Sequence, residues 1–355
     1  MTYSLGMSSD DVVWSDRDTS DLSSVSAAID AFEQRSGITL HWIARHHLLN
    51  GSGYAKDPFP RIEEHSGYLF GILYVPSNPQ NTVAEFDEIV FAATHDHVFG
   101  TYSRSPQSTC DWPTLFETLS TDRVFTDSDA TGGRTLVRML KTVMKQLKYG
   151  TENFNVAVED FVGQLGLHLD DNGRIVALDG LDRLSHRERK ILQERVAGMR
   201  DRVALQRTEV PLMRRVVAET EQVLARLGSN EVDLAADAAS TPRELFTREL
   251  EIFVSDTYID ARHVSSLVEE IEYRLTMIRD YMKQLKHDEN IAASRFTGAI
   301  ASIMLVPTFI VGVYGQNFGK NLPETQWRFG YLFSWAVIVV ITLGQVWFFR
   351  RRKWI

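Results

Sequence analysis

The stretch AIASIMLVPTFIVGVY at Ala299–Tyr314 and the stretch GYLFSWAVIVVITLGQVWFF at Gly330–Phe349 decide how the end of this chain folds. The first has sixteen residues and the second twenty, and neither contains a charged side chain. A helix needs about 20 apolar residues to cross the hydrocarbon core of a bilayer. The first run reaches that length when it is extended back through Ala292, interrupted only by Arg295. Two membrane-spanning helices are predicted, with a pair of buried core helices as the alternative.

The charges around these runs predict how they lie in the membrane. The second run ends at Arg350–Lys353, four cations followed by Trp354, which is typical of the cytoplasmic side of a bilayer. Residues 1–18 contain no apolar run, so no signal peptide is predicted to export what precedes the spans. Both termini are therefore expected in the cytoplasm. Residues 318–329 become an external loop, and residues 350–355 a basic cytosolic tail.

The composition of the whole chain excludes several classes of protein. Its 355 residues permit roughly two folded units, and 44% hydrophobic with 24% charged residues is an ordinary globular mixture. The single cysteine, Cys110, excludes an intramolecular disulfide and a multi-thiolate metal site. The net charge is −9, although residues 291–355 contain seven basic residues and one acidic residue. No basic footprint for nucleic acid therefore covers the chain.

The part before the spans is predicted to be a cytosolic α/β domain at residues 26–242. Residues 1–25, rich in Ser and Asp, are expected to be disordered. Runs of β-branched and aromatic residues bounded by turn residues predict a small sheet. Its strands are expected at Ile38–Ile43, Gly67–Val75, Glu88–Ala93 and His97–Tyr102. Helical spacing after Thr114 predicts helices at Leu136–Leu147 and Phe154–Leu169, and a charged pair at Leu184–Leu205 and Pro211–Leu227.

Residues 243–295 are predicted to form a stalk helix that runs into the first span, residues 296–317. Apolar residues recur there every three or four positions, and no Pro or Gly occurs between Arg243 and Thr297. A helix continuous from Arg243 to Val313 would be ~105 Å long at about 1.5 Å per residue. A helix of that length needs neighbours, which predicts an oligomer with several stalks around an axis. A two-helix hairpin packed back on its own domain is the alternative.

A short motif closes the first span. Tyr314-Gly315-Gln316-Asn317 is followed by Leu322-Pro323-Glu324 in the loop, by the second span, and by the terminus Arg-Arg-Lys-Trp-Ile355. This order resembles the end of the CorA-type divalent cation transporters, in which Tyr-Gly-Met-Asn closes the first span and Met-Pro-Glu lies in the loop. The resemblance covers about 60 residues closely, and the stalk and cytosolic domain match it only in layout. Gln316 stands where the family has Met, a position that also varies in the ZntB-like zinc branch.

The resemblance implies a pore with Tyr314, Gly315, Gln316 and Asn317 at its mouth. Asn317, one per subunit, is implied to form a ring of amide oxygens that holds a hydrated ion. Such neutral oxygens suit Mg²⁺, which gives up its waters reluctantly. The residues leave two roles open for Gln316, a second amide layer or a cap of the turn, and they leave open a helix-cap role for Asn317. Glu324 is expected in the external loop.

Mostly small residues form a stripe along the first span. They recur every three or four positions at Gly298, Ala301, Leu305, Thr308, Gly312 and Gly315. This pattern is typical of a pore lining or of a packing seam between helices. The resemblance places Leu305, Thr308 and Gly312 toward the pore, with Leu305 as a hydrophobic constriction and Thr308 as a second polar ring. Neither span contains Asp, Glu or His, so no proton relay is expected within the membrane.

Acidic residues before the spans have a role by resemblance. In the family, cytosolic Mg²⁺ bound by carboxylates between subunits holds the pore closed. The resemblance brings Asp256 to the position of a stalk ligand, and Asp280 to that of a stalk acid nearer the membrane. Asp87 and Glu88 in the sheet are candidate partners, and a solvated surface charge is the alternative for each acid. Regulation would follow because an ion that binds the closed state better shifts the population toward it.

The sequence therefore predicts a homo-oligomeric channel, a pentamer by resemblance, in the lipid bilayer of the cytoplasmic (inner) membrane. It is expected to admit Mg²⁺ (and Co²⁺) passively, with Mg²⁺ also as regulatory ligand and with no organic cofactor. The alternatives are a ZntB-like transporter of Zn²⁺ or another transition metal, with or without proton coupling, and a non-conducting membrane-anchored sensor or scaffold. No enzyme is predicted, because His95-Asp96-His97 lacks a third ligand and Thr131-Gly132-Gly133-Arg134 lacks the end of a P-loop.

Overall fold

The computed structural model describes most of the chain in two compact units, Met1–Ile278 and Arg279–Ile355. The described residues are 2–4, 12–53, 58–78, 85–112, 114, 131–165, 167–169, 175–177, 186–229, 245–315, 328–352 and 354.

Six strands form one mixed sheet in the first unit. They are β1 (Thr2–Ser4), β2 (Val12–Asp16), β3 (Arg61–His65), β4 (Tyr68–Pro76), β5 (Phe86–Ala93) and β6 (Val98–Ser103). Their order is β1-β2-β6-β5-β4-β3, with β2 and β6 parallel and the other neighbours antiparallel. Every residue of β4 and β5 is buried, so these apolar runs are the centre of the core. The three strands expected between residues 67 and 102 are confirmed.

Three helices cover this sheet. The first two, α1 (Leu22–Ser36) and α2 (Trp42–Asn50), lie over β6, where Phe32 packs against Phe99 at 5.9 Å between ring centroids. The hydroxyl of Thr101 also donates to the carbonyl oxygen of Leu48 at 2.9 Å. The third helix, α3 (Thr131–Gln164), contacts β4, β5 and β6. The sheet is therefore covered by helices in the way that long runs of buried strand residues require.

Two expectations for the first fifty residues are wrong. Residues 1–25 are not wholly disordered, because Val12–Asp16 is a strand and α1 begins at Leu22. One apolar side chain outweighs the polar composition, since Trp14 is 0% exposed and its ring lies on Gly100, where an added Cβ would be 2.0 Å from the ring. The strand expected at Ile38–Ile43 is also absent, because α2 starts at Trp42.

The helical part of the first unit has longer elements than expected. The two helices expected from Leu136 to Leu169 are one helix, α3, which ends before a short antiparallel hairpin of β7 (Leu167–Leu169) and β8 (Ile175–Ala177). The expected charged pair is also one helix, α4 (His186–Gly228), which continues through Pro211. Pro211 has no N–H to donate within the helix. Val210 and Met213 on either side of it are buried, and their packing holds the helix against its neighbours.

The pattern Thr131-Gly132-Gly133-Arg134 has a packing role. A Cβ at Gly132 would lie 1.8 Å from the carbonyl oxygen of Thr94, and one at Gly133 would lie 2.0 Å from that of Leu245. The backbone N–H of Gly132 donates to the carbonyl oxygen of His95 at 2.8 Å. The two glycines therefore let the start of α3 approach the β5–β6 turn and the backbone at Leu245.

The last two helices are α5 (Arg248–Gly315) and α6 (Gly330–Arg351). The expected helix without a break is confirmed from Arg248 onward, and it continues through Pro307. The expected boundary between stalk and first span at residues 295 and 296 therefore corresponds to no interruption of the helix. In the first unit α5 buries one side against the domain at Leu250, Val254, Ala261, Val264, Val268, Ile271 and Ile278.

Candidate functional site

Two helices of the chain are long and apolar enough to cross a membrane. The best 18-residue windows of α5 and α6 each have a mean hydropathy of 2.0, and 6% of each window is buried. A core helix of a soluble protein would be covered by its own chain. The exposed apolar surface of both helices therefore favours the two predicted spans over the alternative of buried core helices.

The small-residue stripe of the first span lies on an exposed side of α5. All six of its members are exposed, and Leu305 is 69% exposed. The side that includes Ser302, Val306 and Ile310 is half-buried instead. On that side the Nε2 amide of Gln345 in α6 donates to the carbonyl oxygen of Ser302 at 3.3 Å. The second span thus covers part of α5 and leaves the stripe free.

Packing within the described part of the chain does not require the glycines of the stripe. A Cβ placed on Gly298, Gly312 or Gly315 would meet no atom within 4 Å. Glycine also lowers the stability of a helix interior by about 1 kcal/mol relative to alanine. Gly298 and Gly312, inside α5, therefore leave room for a close neighbour from outside the chain.

Thr308 carries the hydroxyl of the stripe. Its hydroxyl donates to the carbonyl oxygen of Met304 at 2.7 Å, one turn earlier in α5. This bond uses the hydroxyl hydrogen and leaves the oxygen lone pairs available as acceptors. The preceding residue, Pro307, has no N–H to donate to Ile303. An acceptor oxygen on the exposed stripe suits contact with a cation or with its water shell.

The signature motif lies at the end of the described helix. Tyr314 and Gly315 are the last two residues of α5. Gln316, Asn317 and Glu324 lie outside the described residues, so their expected positions at the pore mouth and in the external loop stay predictions.

Asp256 lies on an exposed apolar side of α5 in the first unit. Its side chain is exposed, and Ile252 and Ile259, one turn before and one turn after it, are each 66% exposed. Isolated apolar residues on a surface are ordinary, but these two lie in helical register around one carboxylate and are not covered by the described part of the chain. The exposed position of Asp256 is compatible with an acid at a contact between stalks and with a solvated surface charge, so its expected role as a regulatory ligand stays a prediction.

Asp280 differs from Asp256 in its surroundings. Its carboxylate Oδ1 lies 3.3 Å from Nε of Arg279 and 3.5 Å from Nζ of Lys283; Asp280 and Lys283 are exposed and Arg279 is half-buried. Exposed pairs of this kind contribute between 0 and about 1 kcal/mol. Asp280 therefore has weak local cationic partners, and its expected role near the membrane stays a prediction.

The two acids of β5 are structural hydrogen-bond acceptors. Asp87 is 0% exposed and accepts four hydrogen bonds, from Ser77 Oγ at 2.7 Å, Ser105 N at 2.9 Å, Ser108 Oγ at 2.5 Å and Trp112 Nε1 at 2.8 Å. This arrangement leaves no open lone pair for an ion. The interpretation of Asp87 as a metal partner of Asp256 is therefore wrong for the fold described.

Glu88 is committed to an ion pair. Its Oε2 lies 2.6 Å from Nη2 of Arg17, and Oε1 accepts from the hydroxyls of Tyr74, at 3.0 Å, and of Ser52. Burial on its own raises the pKa of Glu88, but Arg17 and the Ser52 donors outweigh it and lower the pKa. Burial together with Glu88 raises the pKa of Tyr74. Glu88 therefore links the sheet to the end of α2. The interpretation of Glu88 as a metal partner of Asp256 is wrong for the same reason as that of Asp87.

The histidine motif does not form a metal site. The Nδ1 atom of His95 lies 2.6 Å from Oδ1 of Asp96, in the turn between β5 and β6. Among the described residues no group of three or more His, Cys, Asp or Glu side chains is placed to hold a metal ion.

Sequence reasoning missed two polar groups that the structure singles out. Gln345 is the only amide in the second span, and a single polar residue in an apolar run is the signal that marks it. Glu209 on α4 is 4% exposed and lines a small apolar cavity, and its Oε2 atom has no hydrogen-bond partner among the described residues. Burial raises the pKa of Glu209. The local sequence around Glu209 is that of an ordinary surface acid. Its burial is evident only from the packing of three helices.

An α/β domain, a long helix and two candidate spans at the C-terminal end define a membrane protein with a large domain outside the bilayer. Residues 29–351 match the family described as CorA-like Mg²⁺ transporter protein. The chain belongs to this family, and its members are transporters rather than enzymes.

Individual relatives match over shorter stretches. The magnesium transport protein CorA of Helicobacter pylori (strain ATCC 700392 / 26695) is 34% identical over 95 residues, which are 26% of this chain and 29% of that protein. The zinc transport protein ZntB of Klebsiella pneumoniae is 28% identical over 83 residues, which are 23% of this chain and 25% of that protein. The matched region thus spans under a third of these relatives. The CorA magnesium transporter structure from Methanocaldococcus jannaschii has a TM-score of 0.62 at 17% identity, covering 97% of this chain and 91% of that one, which shows the shared fold.

Proposed function

We propose that this chain is a subunit of a homo-oligomeric channel that admits divalent cations, chiefly Mg²⁺, into the cytoplasm. The observation that carries the proposal is the exposed stripe from Gly298 to Gly315, which α6 leaves uncovered and which leads into Gln316 and Asn317. Copies of this stripe around an axis would enclose a narrow pore lined by small residues, one hydroxyl ring at Thr308 and one constriction at Leu305.

The chemistry of this lining suits a hydrated ion. Mg²⁺ keeps several waters when it binds, because it dehydrates reluctantly. The hydroxyl oxygen of Thr308 and the amide oxygen of Asn317 accept hydrogen bonds from such waters without holding the ion tightly. Leu305 would interrupt the water column and close the pore by dewetting. The absence of acids and histidines from both spans fits passive flow rather than proton coupling.

Oligomerisation is supported by the same side of the stalk that carries Asp256. Ile252 and Ile259 would be buried between neighbouring stalks, which is the ordinary reason for exposed apolar residues in helical register. Asp256 would then lie at a subunit contact, where a Mg²⁺ ion shared with a neighbour would stabilise the closed state. Five copies are proposed by resemblance to the family, with both termini in the cytoplasm.

The driving force for uptake is the membrane potential. An inside-negative potential contributes ~2.3 kcal/mol per elementary charge for each 100 mV, and twice that for a divalent ion. No coupled ion is needed for accumulation under this force.

Ion flux into proteoliposomes tests the proposal. Purified full-length protein is reconstituted, an inside-negative potential is imposed, and uptake of Mg²⁺, Co²⁺, Ni²⁺ and Zn²⁺ is compared with and without a proton gradient. Potential-driven Mg²⁺ uptake that ignores the proton gradient is expected. No uptake of any of these ions above empty liposomes would favour the non-conducting sensor or scaffold instead.

A second candidate is a Zn²⁺ transporter of the ZntB type. It is favoured by the similarity to a zinc transport protein and by Gln316 in place of the usual methionine. In the same assay it predicts Zn²⁺ uptake that requires the proton gradient and little Mg²⁺ uptake.

A further inference from the structure

The last turn of α6 carries two arginines stacked on aromatic rings. The guanidinium carbon of Arg351 lies 5.4 Å from the ring centroid of Trp347, and that of Arg352 lies 5.6 Å from the ring of Phe348. Each pair is separated by four positions, so the helix itself places the guanidinium over the ring. Stacking of this kind occupies one face of each guanidinium and leaves its N–H edge free to donate.

This turn lies where α6 leaves its apolar surroundings. Leu343 is 63% exposed, Trp347 62% and Phe348 48%, so the apolar surface continues to the last turn of the helix. Arg350, Arg351 and Arg352 follow immediately and are all exposed. In a helix that spans a bilayer, aromatic residues lie at the headgroup level, and the arginines beyond them reach the phosphates.

The end of the chain is folded back against this turn. Trp354 stacks on Phe349 at 5.7 Å between ring centroids, and its backbone N–H donates to the carbonyl oxygen of Phe349 at 3.0 Å. Phe349 is only 8% exposed as a result. The ring of Phe348 lies 5.5 Å from that of Phe349 and thus belongs to this packed aromatic group.

No acidic residue neutralises these cations locally. The sequence contains no Asp or Glu after Glu324. In the described part of the chain, none of the ion pairs involves Arg350, Arg351 or Arg352. The three neighbouring guanidinium groups are exposed and therefore offer a cationic edge to an anion from outside the chain.

We propose that Arg351 and Arg352, held on Trp347 and Phe348, bind the phosphate groups of anionic lipids such as phosphatidylglycerol. Arginine donates two parallel hydrogen bonds to a phosphate, and an anionic headgroup at the membrane surface is the phosphate that this depth offers. The site depends on α6 spanning the membrane and not on which ion the protein carries.

The test measures lipid selectivity of the full-length protein in phosphatidylcholine bilayers by electron spin resonance. Spin-labelled phosphatidylglycerol is expected to associate with the wild type more strongly than spin-labelled phosphatidylcholine. Replacing Arg351 and Arg352 together by Gln should weaken the association of phosphatidylglycerol about 30-fold, because each cation near a membrane surface contributes about one kcal/mol. Arg328→Gln at the other end of α6 is the matched control and should keep the wild-type selectivity.

Three outcomes would overturn the proposal. One is a wild type without selectivity for phosphatidylglycerol. Another is full selectivity after Arg351→Lys and Arg352→Lys together, since lysine keeps the charge but lacks the planar guanidinium that donates two parallel hydrogen bonds. The third is loss of selectivity on adding millimolar inorganic phosphate, which would assign the site to a soluble anion.

Trp347→Leu retains both charges and should weaken the association. This variant separates the effect of stacking on the ring from the effect of charge alone.

Discussion

Gln345 donates its side-chain amide to the carbonyl oxygen of Ser302 across 3.3 Å, and this bond fixes which side of α5 the second span covers. Bonds between side chain and backbone of neighbouring spans contribute about 0.6–2 kcal/mol in a membrane. Because Ser302 is on the covered side, Leu305, Thr308 and Gly312 are left for contact with other subunits or with water. The orientation of the proposed pore lining thus depends on a polar residue outside it.

Gly312→Ala and Gly344→Ala form a matched pair. Both glycines are in span helices, and a Cβ at either would meet nothing within 4 Å in this chain. Each alanine should therefore raise the stability of its helix, by up to about 1 kcal/mol. Only Gly312→Ala should reduce Mg²⁺ flux, because only Gly312 is in the stripe. Thermal denaturation and flux are measured on the same preparations. Equal flux from the two variants would remove Gly312 from the pore lining.

Asp256→Ala should weaken the protection that Mg²⁺ gives against proteolysis. The proposed ion lies between stalks at Asp256, so its loss removes a ligand that stabilises the closed state. Glu269→Ala, another exposed acid of α5, is the matched control and should keep wild-type protection. Limited digestion of the full-length protein is followed over a Mg²⁺ titration. Unchanged protection in Asp256→Ala would return Asp256 to the role of a surface charge.

Arg17→Met should destabilise the first unit by about 3–5 kcal/mol, because it leaves the buried carboxylate of Glu88 without its cation. Adding Glu88→Gln should recover part of this loss. Since the folded pKa of Glu88 is lowered, the pair contributes above the unfolded pKa and loses its contribution as the pH falls through the folded pKa. Thermal denaturation between neutral and acidic pH measures both effects. An additive double variant would mean that the two side chains do not interact.

The contribution of Glu209 to the stability of the folded protein should change with pH in the opposite direction to that of Glu88. Burial raises the folded pKa of Glu209, so the folded protein retains the proton longer than the unfolded chain does. The wild type therefore loses stability as the pH rises from the unfolded pKa through the folded pKa, and Glu209→Gln should be more stable above that range. Glu152→Gln, an exposed acid of α3, should behave as the wild type. The same slope in wild type and Glu209→Gln would show that another group titrates.

The elements that the sequence predicted are those with a strong local pattern. The two spans and the strands β4, β5 and β6 are apolar runs whose length and composition permit few alternatives. The helix α5 was predictable because no proline or glycine interrupts its stalk.

The elements that the sequence misjudged depend on contacts distant in the chain. The strand at Val12–Asp16 forms only because β6 and Gly100 accept Trp14. The helix α4 continues through Pro211 because Val210 and Met213 are buried against other helices.

The residues of the candidate site divide in the same way, into those that a local pattern predicts and those whose contacts are distant in sequence. The spacing of Leu305, Thr308 and Gly312 predicted a shared side, because a helical period determines it. The partners of Asp87 and Glu88 were not predictable, because Trp112 and Arg17 reach them across long separations in sequence.

Asn317 is proposed to give the pore its selectivity for divalent cations, and ion flux in Asn317→Ala is the decisive measurement. Wild type, Asn317→Ala and the loop control Asn321→Ala are reconstituted at equal density, and potential-driven Mg²⁺ uptake is measured against K⁺ uptake. Asn321→Ala should keep wild-type Mg²⁺ flux. Asn317→Ala should lose Mg²⁺ selectivity while remaining folded and oligomeric. Wild-type Mg²⁺ flux and selectivity in a correctly assembled Asn317→Ala protein would show that Asn317 does not determine ion selectivity.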